Sequence, residues 1–269
     1  MRNLKTRSLP LVETTDHAAD TPWRGKPELP DILTVSHLEK SFGHVKAVND
    51  LSFEVKEGEI LGMMGPNGAG KTTVFNLLTG VSKPDKGQII FKGKDITRLP
   101  PAKRCHLGIG RTYQIPCPFD RMSVYENLLV GAVHGGKLSE RRAREEASAI
   151  MELTGLTALK KHTSGELSLL NRKRLEVGRA LATQPSLILL DEVAGGLTEA
   201  EVHQVLGIVR KTAKKGVTII WIEHILMMMS EGVDRLLVIA EGAWLQCGDP
   251  KVVMNSKEVL TSYLGAEEE

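Results

Sequence analysis

The chain has 269 residues, of which 41% are hydrophobic, so it can bury the core of one large domain or two small ones. Its 35 lysines and arginines almost balance 33 aspartates and glutamates, and this charge does not favour nucleic acid as a partner. Three cysteines without a CxxC pair favour a reducing, cytoplasmic compartment over a disulfide framework or a zinc site. No stretch has the roughly eighteen consecutive apolar residues of a membrane-spanning helix.

The two ends of the chain lack a regular pattern. Residues 1–30 combine four prolines with charges of both signs and contain no apolar region of a signal peptide. We interpret them as a disordered tail, with a docking arm as the alternative. The patterned domain runs over residues 31–265, and residues 266–269 form an acidic tail.

The first part of the domain alternates apolar and polar residues. ILTVSHL, from Ile32, and AVNDLSFEV, from Ala47, predict two strands of an antiparallel layer. A further strand, EILGMMG, runs into a glycine-rich turn and then the helix KTTVFNLLTG, which Gly80 ends. GQIIFKG predicts one more strand pair.

The middle of the chain is almost purely helical. The pattern from Ser123 to Thr183 includes SERRAREEASAIMELTG, with Ser139 as the expected N-cap, and RKRLEVGRALAT. A helical insert within an α/β chain predicts a separate lobe, at about residues 115–182.

The α/β pattern then resumes. SLILLDE predicts a buried strand, and GVTIIWIEH and RLLVIAEG predict further strands. Between them, a helix is predicted from Glu199 to Lys215, with capping-box spacing between Thr198 and Glu201. This alternation predicts a parallel sheet with right-handed crossovers, and Asp249 and Pro250 begin a terminal helix.

The glycine-rich turn GPNGAGKT matches the phosphate-loop pattern GxxxxGK[ST] in full and lies between a predicted strand and a helix N-terminus. Backbone N–H groups and the helix dipole favour phosphate there, and Lys71 reaches the terminal phosphates. A turn that only connects a strand to a helix is the alternative. The expected nucleotide-binding residues here are Gly65, Pro66, Asn67, Gly68, Ala69, Gly70, Lys71, Thr72 and Thr73.

Polar residues at two strand ends and one loop are candidates for the chemistry. Asp191 and Glu192 end an apolar strand, where Asp191 can bind Mg²⁺ and Glu192 can polarise an attacking water; a solvated acidic loop is the alternative. His224 ends another strand, and a lone histidine of this kind is more often structural than catalytic. Gln114 begins the helical lobe and can touch both a metal and the lobe.

In this order and spacing, the phosphate loop, Gln114, LSLLN, LLDE, GGLT and His224 resemble the ATPase subunit of an ATP-binding cassette (ABC) transporter. The resemblance covers Asp31 to Gly265. It implies a P-loop NTPase cassette with a RecA-like core, an antiparallel β subdomain and a helical lobe. It also implies ATP and Mg²⁺ as cofactors, and ATP hydrolysis as the activity.

The resemblance assigns a role to each motif. Phe42 would stack on adenine, the GGLT loop would cross to an opposite subunit, and Ser168 would contact the nucleotide held by that subunit. The implied catalytic residues are Gln114, Glu192 and His224. The implied metal-binding residues are Thr72, Gln114 and Asp191.

Longer segments, including GIGRTYQIPCPFDRMSVYENLLVGA and GDPKVVMNSKEVLTSYLG, resemble bacterial branched-chain amino-acid importer cassettes. The implied partners are integral membrane permease subunits, a second ABC ATPase and, indirectly, a periplasmic or extracellular substrate-binding protein. The implied location is peripheral, on the cytoplasmic face of the inner membrane. A urea or amide importer and a turnover-impaired soluble regulator are the alternatives.

The chain departs from the family in one turn. The family has a turn close to Leu-Ser-Gly-Gly-Gln, and this chain has Leu167, Ser168, Leu169, Leu170 and Asn171. We expect Leu170 to crowd a place where backbone approaches phosphate, and to disfavour a positive φ. A homodimer would then have two impaired sites, whereas a heterodimer would supply an intact turn to this chain's complete phosphate loop. We favour the heterodimer.

Overall fold

The structure is a computed structural model that describes residues 29–264, so most of the expected N-terminal tail and the acidic C-terminal tail lie outside it. The strands are β1 Asp31–Phe42, β2 Val45–Lys56, β3 Ile60–Met64, β4 Lys86–Phe91, β5 Lys94–Asp95, β6 Ile109–Arg111, β7 Leu187–Asp191, β8 Thr218–Ile222, β9 Arg235–Ala240 and β10 Ala243–Gly248. The helices are α1 Lys71–Thr79, α2 Pro101–Leu107, α3 Val124–Val130, α4 Glu140–Thr154, α5 Leu169–Ala182, α6 Glu199–Lys214, α7 Leu226–Gly232, α8 Pro250–Met254 and α9 Lys257–Leu264.

An antiparallel sheet has the strand order β2-β1-β4-β5. Its strands bury one face and expose the other, as their alternating sequences predict. Leu33 and Leu38 of β1 and Leu51 and Val55 of β2 are fully buried, next to charged residues that face solvent. The predicted antiparallel layer is therefore confirmed.

A second sheet has the order β10-β9-β3-β8-β7-β6, in which β10 is antiparallel to β9 and the other pairs are parallel. Every residue of β3, β7 and β8 is buried, as in a parallel sheet covered on both faces. Parallel strands place their carboxyl ends at one edge, which brings the phosphate loop, the two acids and His224 together.

The helical lobe consists of α3, α4 and α5, with a π-helical turn at Gly131–Gly135 and short 3₁₀ turns at Thr157–Leu159 and Ser164–Glu166. Close packing joins its helices: a Cβ on Gly178 of α5 would lie 3.0 Å from Leu128 of α3 and 3.2 Å from Ile150 of α4. Ser139 is the N-cap residue of α4 as predicted, although its side chain makes no capping hydrogen bond.

Several short elements are absent from the sequence-based prediction. Helices α2 and α7 and strands β6 and β10 have three to seven residues, too few for a clear period. Tertiary contacts hold them: Arg104 of α2 is 1% exposed and donates hydrogen bonds to the carbonyl oxygens of Leu77, Leu78 and Leu99. None of the helices within residues 29–264 combines the length and the apolar character needed to span a bilayer.

Candidate functional site

The phosphate loop joins β3 to α1 through a backbone that two glycines make possible. Gly68 has φ 79° and Gly70 has φ 95°, in the region that favours glycine. A Cβ on Gly70 would lie 2.2 Å from the carbonyl oxygen of Ala47, so no other residue fits. Gly70 is also the N-cap of α1, and no side chain among the described residues caps that helix end. The first N–H groups of α1 are therefore available to an anion.

Lys71 places a buried cation beside this loop. Its side chain is 7% exposed, and its Nζ donates to the carbonyl oxygens of Gly65 at 2.7 Å and Pro66 at 2.9 Å. Burial lowers the pKa of Lys71, while the negative charges of Glu192 and Asp191 oppose this shift. Of the next two residues, Thr72 is exposed and Thr73 is half-buried.

Asp191 ends β7 and is held by a cation that the sequence analysis missed. It is 3% exposed, and Arg111 Nη2 lies 3.0 Å from its Oδ2. Arg111 also donates to Asn76 Oδ1 at 2.6 Å, which ties β6 and α1 to the acid. Burial raises the pKa of Asp191, and the hydrogen bond and charge of Arg111 counteract this. In the sequence, the one indication of this role is that Arg111 lies three residues before Gln114.

Glu192 brings the three expected catalytic residues together. Gln114 Nε2 donates to its Oε2 at 2.5 Å, and His224 Nε2 lies 2.9 Å from its Oε1. Glu192 is also the residue after β7, with φ 46°, and its backbone N–H donates to the carbonyl oxygen of Ile222 at the end of β8. A loop and two strands thus converge on one carboxylate beside the phosphate loop.

The expected metal-binding residues provide the donor chemistry that Mg²⁺ prefers. Thr72 has an exposed hydroxyl in the first turn of α1, Asp191 has a carboxylate at the sheet edge, and Gln114 keeps an amide oxygen while its Nε2 binds Glu192. Mg²⁺ binds few protein oxygens and completes its shell with phosphate oxygens and water. The residues therefore fit this ion.

Phe42 lies at the end of β1, in the hairpin next to the phosphate loop. Its ring is 52% exposed, with Lys40 Nζ 5.4 Å from the ring centroid. Phe42 pairs with Val45, and Ala47, two residues later, has the carbonyl oxygen that Gly70 approaches. An exposed aromatic ring therefore stands beside the phosphate-binding turn, where a base can stack.

The altered turn begins α5, and here one expectation is wrong. Ser168 is the N-cap, and its side chain accepts from the N–H of Asn171 at 3.5 Å. Leu170 is 9% exposed and belongs to the core of the lobe, so it does not crowd the surface of the turn, and neither leucine has a positive φ. The helical geometry turns Leu169 outward instead: it is 45% exposed, and its Cδ2 lies 3.3 Å from where a Cβ on Gly196 would be.

Lys173, on the same helix, is a second residue that the sequence analysis missed. It is 5% exposed, and its Nζ donates to the backbone carbonyl oxygen of Glu192 at 2.8 Å. Leu170 and Val177 lie three residues before and four residues after it and are both buried. That spacing puts Lys173 on the apolar face of the helix, which is the pattern that identifies it.

Comparison with known proteins decides the family. The family described as ABC transporter matches residues 48–195, which contain the phosphate loop, Gln114, the altered turn and both acids. The chain belongs to the ABC transporter family. The expected fold, a cassette with a sheet-based core, an antiparallel subdomain and a helical lobe, is confirmed, and ATP hydrolysis is the activity of such ABC transporter cassettes.

Curated ABC transporter proteins resemble this cassette over nearly their whole length. It is 35% identical over 251 residues to the probable branched-chain amino acid transport ATP-binding protein LivG of Methanocaldococcus jannaschii, covering 87% of this chain and 98% of the relative. It is 36% identical to the branched-chain amino acid transport protein BraF of Pseudomonas aeruginosa, with coverages of 87% and 98%. It is 34% identical to the lipopolysaccharide export protein LptB of Haemophilus influenzae, with coverages of 88% and 98%.

A solved structure agrees. The ADP conformation of an ATP-binding cassette of an ABC transporter superposes on this cassette with a TM-score of 0.80 at 35% identity, covering 88% of this chain and 99% of that one.

Proposed function

We propose that this cassette powers the import of branched-chain amino acids, or of related small amide or amino-acid substrates, through an integral membrane permease. The meeting of Gln114 and His224 on the Glu192 carboxylate, beside a complete phosphate loop, supports turnover rather than nucleotide binding alone. The similarity to LivG and BraF supports the cargo class. The cassette would act from the cytoplasmic face of the inner membrane.

The residues of the site divide the work of hydrolysis. The first-turn amides of α1 and Lys71 hold the phosphates, and Phe42 stacks on the adenine. Mg²⁺, held by Thr72, Asp191 and Gln114, would neutralise phosphate charge. Glu192 orients and polarises the attacking water, while His224 and Gln114 fix its carboxylate.

The permease would dock in a groove between the core and the helical lobe, next to Gln114. This groove has a volume of about 340 Å³ and is lined by Tyr113, Phe119 and Arg179 among other residues. Tyr113 is 51% exposed and Phe119 is 44% exposed. An exposed aromatic surface of this kind suits a partner protein. A change in Gln114 during the ATP cycle would then reach the permease.

We favour a heterodimer with a sister ATPase over a homodimer. Leu169, in the first turn of α5, is the substituted residue that faces outward, where the turn of one cassette would approach the nucleotide of the other. Phosphate binding needs close backbone approach, and the leucine side chain obstructs it. A sister with an intact turn would serve this chain's phosphate loop. A substrate-binding protein would deliver the cargo on the far side of the membrane.

Affinity purification from detergent-solubilised membranes tests the assembly. The tagged chain should recover integral permease subunits and a second, different cassette. Uptake of labelled leucine by cells that lack the chain should return with the wild-type chain and not with Lys71→Ala.

Other outcomes would redirect the proposal. Restored uptake of urea with no uptake of leucine would identify an amide importer. Recovery without membrane subunits would favour the soluble regulator, and brisk ATP hydrolysis by the purified chain alone would contradict the heterodimer.

A further inference from the structure

The backbone of Glu192 adopts a conformation that its neighbours must maintain. Its φ of 46° lies in the left-handed region, which is uncommon for residues other than glycine and costs about 1 kcal/mol or more. The carboxylate direction depends on this backbone, because the side chain starts from it. The hydrogen bonds from Gln114 and His224 hold the far end of the side chain and do not fix its base.

Lys173 provides a contact at that base. Its Nζ is 2.8 Å from the Glu192 carbonyl oxygen and 3.9 Å from where a Cβ on Gly195 would lie. Within residues 29–264 this carbonyl is its one hydrogen-bond acceptor, so a buried cation is committed to a neutral backbone group. Burial lowers the pKa of Lys173, and the charges of Glu223 and Glu192 oppose the shift. Because burying an ammonium group is costly, its place beside this carbonyl indicates a specific task.

Glu223 also contacts this bend, through the backbone N–H of Ala194. It is 1% exposed and lies between β8 and His224. Its Oε1 accepts from the N–H of Ala194 at 2.7 Å, and its Oε2 accepts from the N–H of His224 at 3.3 Å. The segment after β7 is therefore held by the Lys173 side chain at Glu192 and by the Glu223 carboxyl group at Ala194, two residues later.

Lys173 belongs to a different part of the molecule from the acid it contacts. It lies on α5 in the helical lobe, five residues after the N-cap Ser168, while Glu192 follows β7 of the core. An α-helix is stiff over such a distance, so a shift of the Ser168 turn moves Lys173 with it. That turn would face the nucleotide of the opposite cassette, whereas Glu192 acts on the nucleotide of its own.

We propose that Lys173 is a positioning residue that holds the Glu192 backbone in its left-handed conformation and couples the placement of this carboxylate to the position of helix α5. Engagement of the Ser168 turn by the opposite cassette thus sets the hydrolytic competence of this chain's own site. The inference rests on the role of Glu192 proposed above.

Lys173→Met tests this on the complex purified through the tagged chain, because methionine retains the apolar stem and removes the donor. We expect kcat to fall at least tenfold, since small misplacements of a reacting group cost up to about a hundredfold. The KM for ATP and the equilibrium binding of ATP should stay within about threefold, because Lys173 donates to the Glu192 backbone and not to the phosphate loop. Lys211→Met, an exposed lysine on α6, is the matched control and should retain wild-type rates.

A double mutant separates positioning from general destabilisation. In a Glu192→Gln background the carboxylate is gone, so adding Lys173→Met should change the single-turnover rate by less than twofold. A structural lesion would lower that rate further and weaken ATP binding. If Lys173→Met does not assemble, Lys173→Gln retains a donor with shorter reach and should show the same split between kcat and binding.

Three results would overturn the inference. One is that Lys173→Met keeps a kcat within twofold of wild type while Glu192→Gln is inactive. This result would reject the role of Lys173 and retain the proposed role of Glu192. Another is a further loss of rate in the Glu192→Gln background. Full activity of Glu192→Gln itself would remove both the inference and the proposed role of Glu192.

Discussion

The catalytic corner at the edge of the parallel sheet and the turn that begins α5 differ in how completely one chain builds them. The corner is finished within the chain: Lys71, Asp191 and Glu192 are positioned by buried strands, and each has a hydrogen-bond or ion-pair partner. The turn is presented outward, with Leu169 exposed and the Ser168 side chain accepting a hydrogen bond from its own helix. This difference supports the proposal that the site is assembled from two molecules, with this chain supplying the hydrolytic half.

Replacing the catalytic carboxylate should have the largest effect on the corner. We expect Glu192→Gln to bind ATP about as well as wild type and to lower kcat about a thousandfold, because the amide cannot polarise the attacking water. Equilibrium fluorescence measures the affinity for ATP, and the rate of phosphate release measures kcat. An unchanged steady-state rate would show that another group activates the water.

Removing the phosphate-loop cation should act on binding instead. Lys71→Ala deletes a charge-assisted contact worth about 3 kcal/mol, so ATP should bind about a hundredfold more weakly. Isothermal titration calorimetry with ATP measures this change. Thr73→Ser, which keeps the hydroxyl, serves as the conservative comparison within the same turn and should bind ATP within a few-fold of wild type. Equal affinity of Lys71→Ala and wild type would place the triphosphate elsewhere.

The free energy of unfolding should depend on pH because Glu223, a carboxyl group next to Lys173 and His224, is buried. Burial raises the pKa of Glu223 from 4.5 to about 7, with the charge of Glu192 adding to the shift and that of Lys173 opposing it. Because the folded-state pKa is the higher one, the stabilising contribution is complete below pH 4.5 and is lost as the pH rises to about 7. The loss amounts to about 3 kcal/mol at most.

Glu223→Gln should remove that component. Urea unfolding at pH 5 and pH 8 should show a smaller stability difference for Glu223→Gln than for wild type. Glu201, which accepts a hydrogen bond from Thr198 at the start of α6, is a control carboxylate for Glu223, because burial contributes little to its pKa. Parallel pH profiles for Glu223→Gln and wild type would exclude Glu223 as the source.

The smallest expected effects distinguish the two leucines of the α5 turn, Leu169 and Leu170. Leu169→Gly removes an exposed side chain, so in the assembled complex it should raise hydrolysis at the sister's phosphate loop several-fold by allowing closer backbone approach. Leu170→Gly removes a buried one and should destabilise the fold by about 3 kcal/mol without that gain. Adding Glu192→Gln to this chain silences its own site, so the remaining hydrolysis of the complex reports the sister's phosphate loop. A gain from Leu170→Gly, or none from Leu169→Gly, would contradict the assignment of Leu169 as the obstruction.

Local sequence accounted for the long elements and for the residues at their ends. The phosphate loop, Asp191, Glu192 and His224 were identifiable because each directly follows a strongly apolar strand, and strand ends in a parallel sheet share one edge. Phe42 became a candidate only through family resemblance, and the resemblance gave Gln114 its specific role, because an isolated aromatic ring or amide carries no chemistry of its own. The roles of these residues in turnover remain predictions that the variants above test.

The side-chain directions in the α5 turn were mispredicted for a specific reason. The expectation for Leu170 treated the turn as loop backbone, but Ser168 caps a helix there, and helical periodicity turns successive residues in different directions. Residue 170 therefore enters the core and residue 169 faces outward. The sequence gives the order of these residues, but the direction of each side chain depends on the residue at which the helix begins.

By itself the sequence determined the strand, loop and helix that cradle a triphosphate, since glycine spacing and apolar periodicity act over neighbouring residues. Only the tertiary structure placed Arg111 against Asp191, and Lys173 against the carbonyl of Glu192, across 80 and 19 positions of the chain. Such contacts join elements that meet because the sheet and the helical lobe pack together. Local propensity carries no information about which residues meet across such separations, so Arg111 and Lys173 were recognised as partners of Asp191 and Glu192 only from the packing.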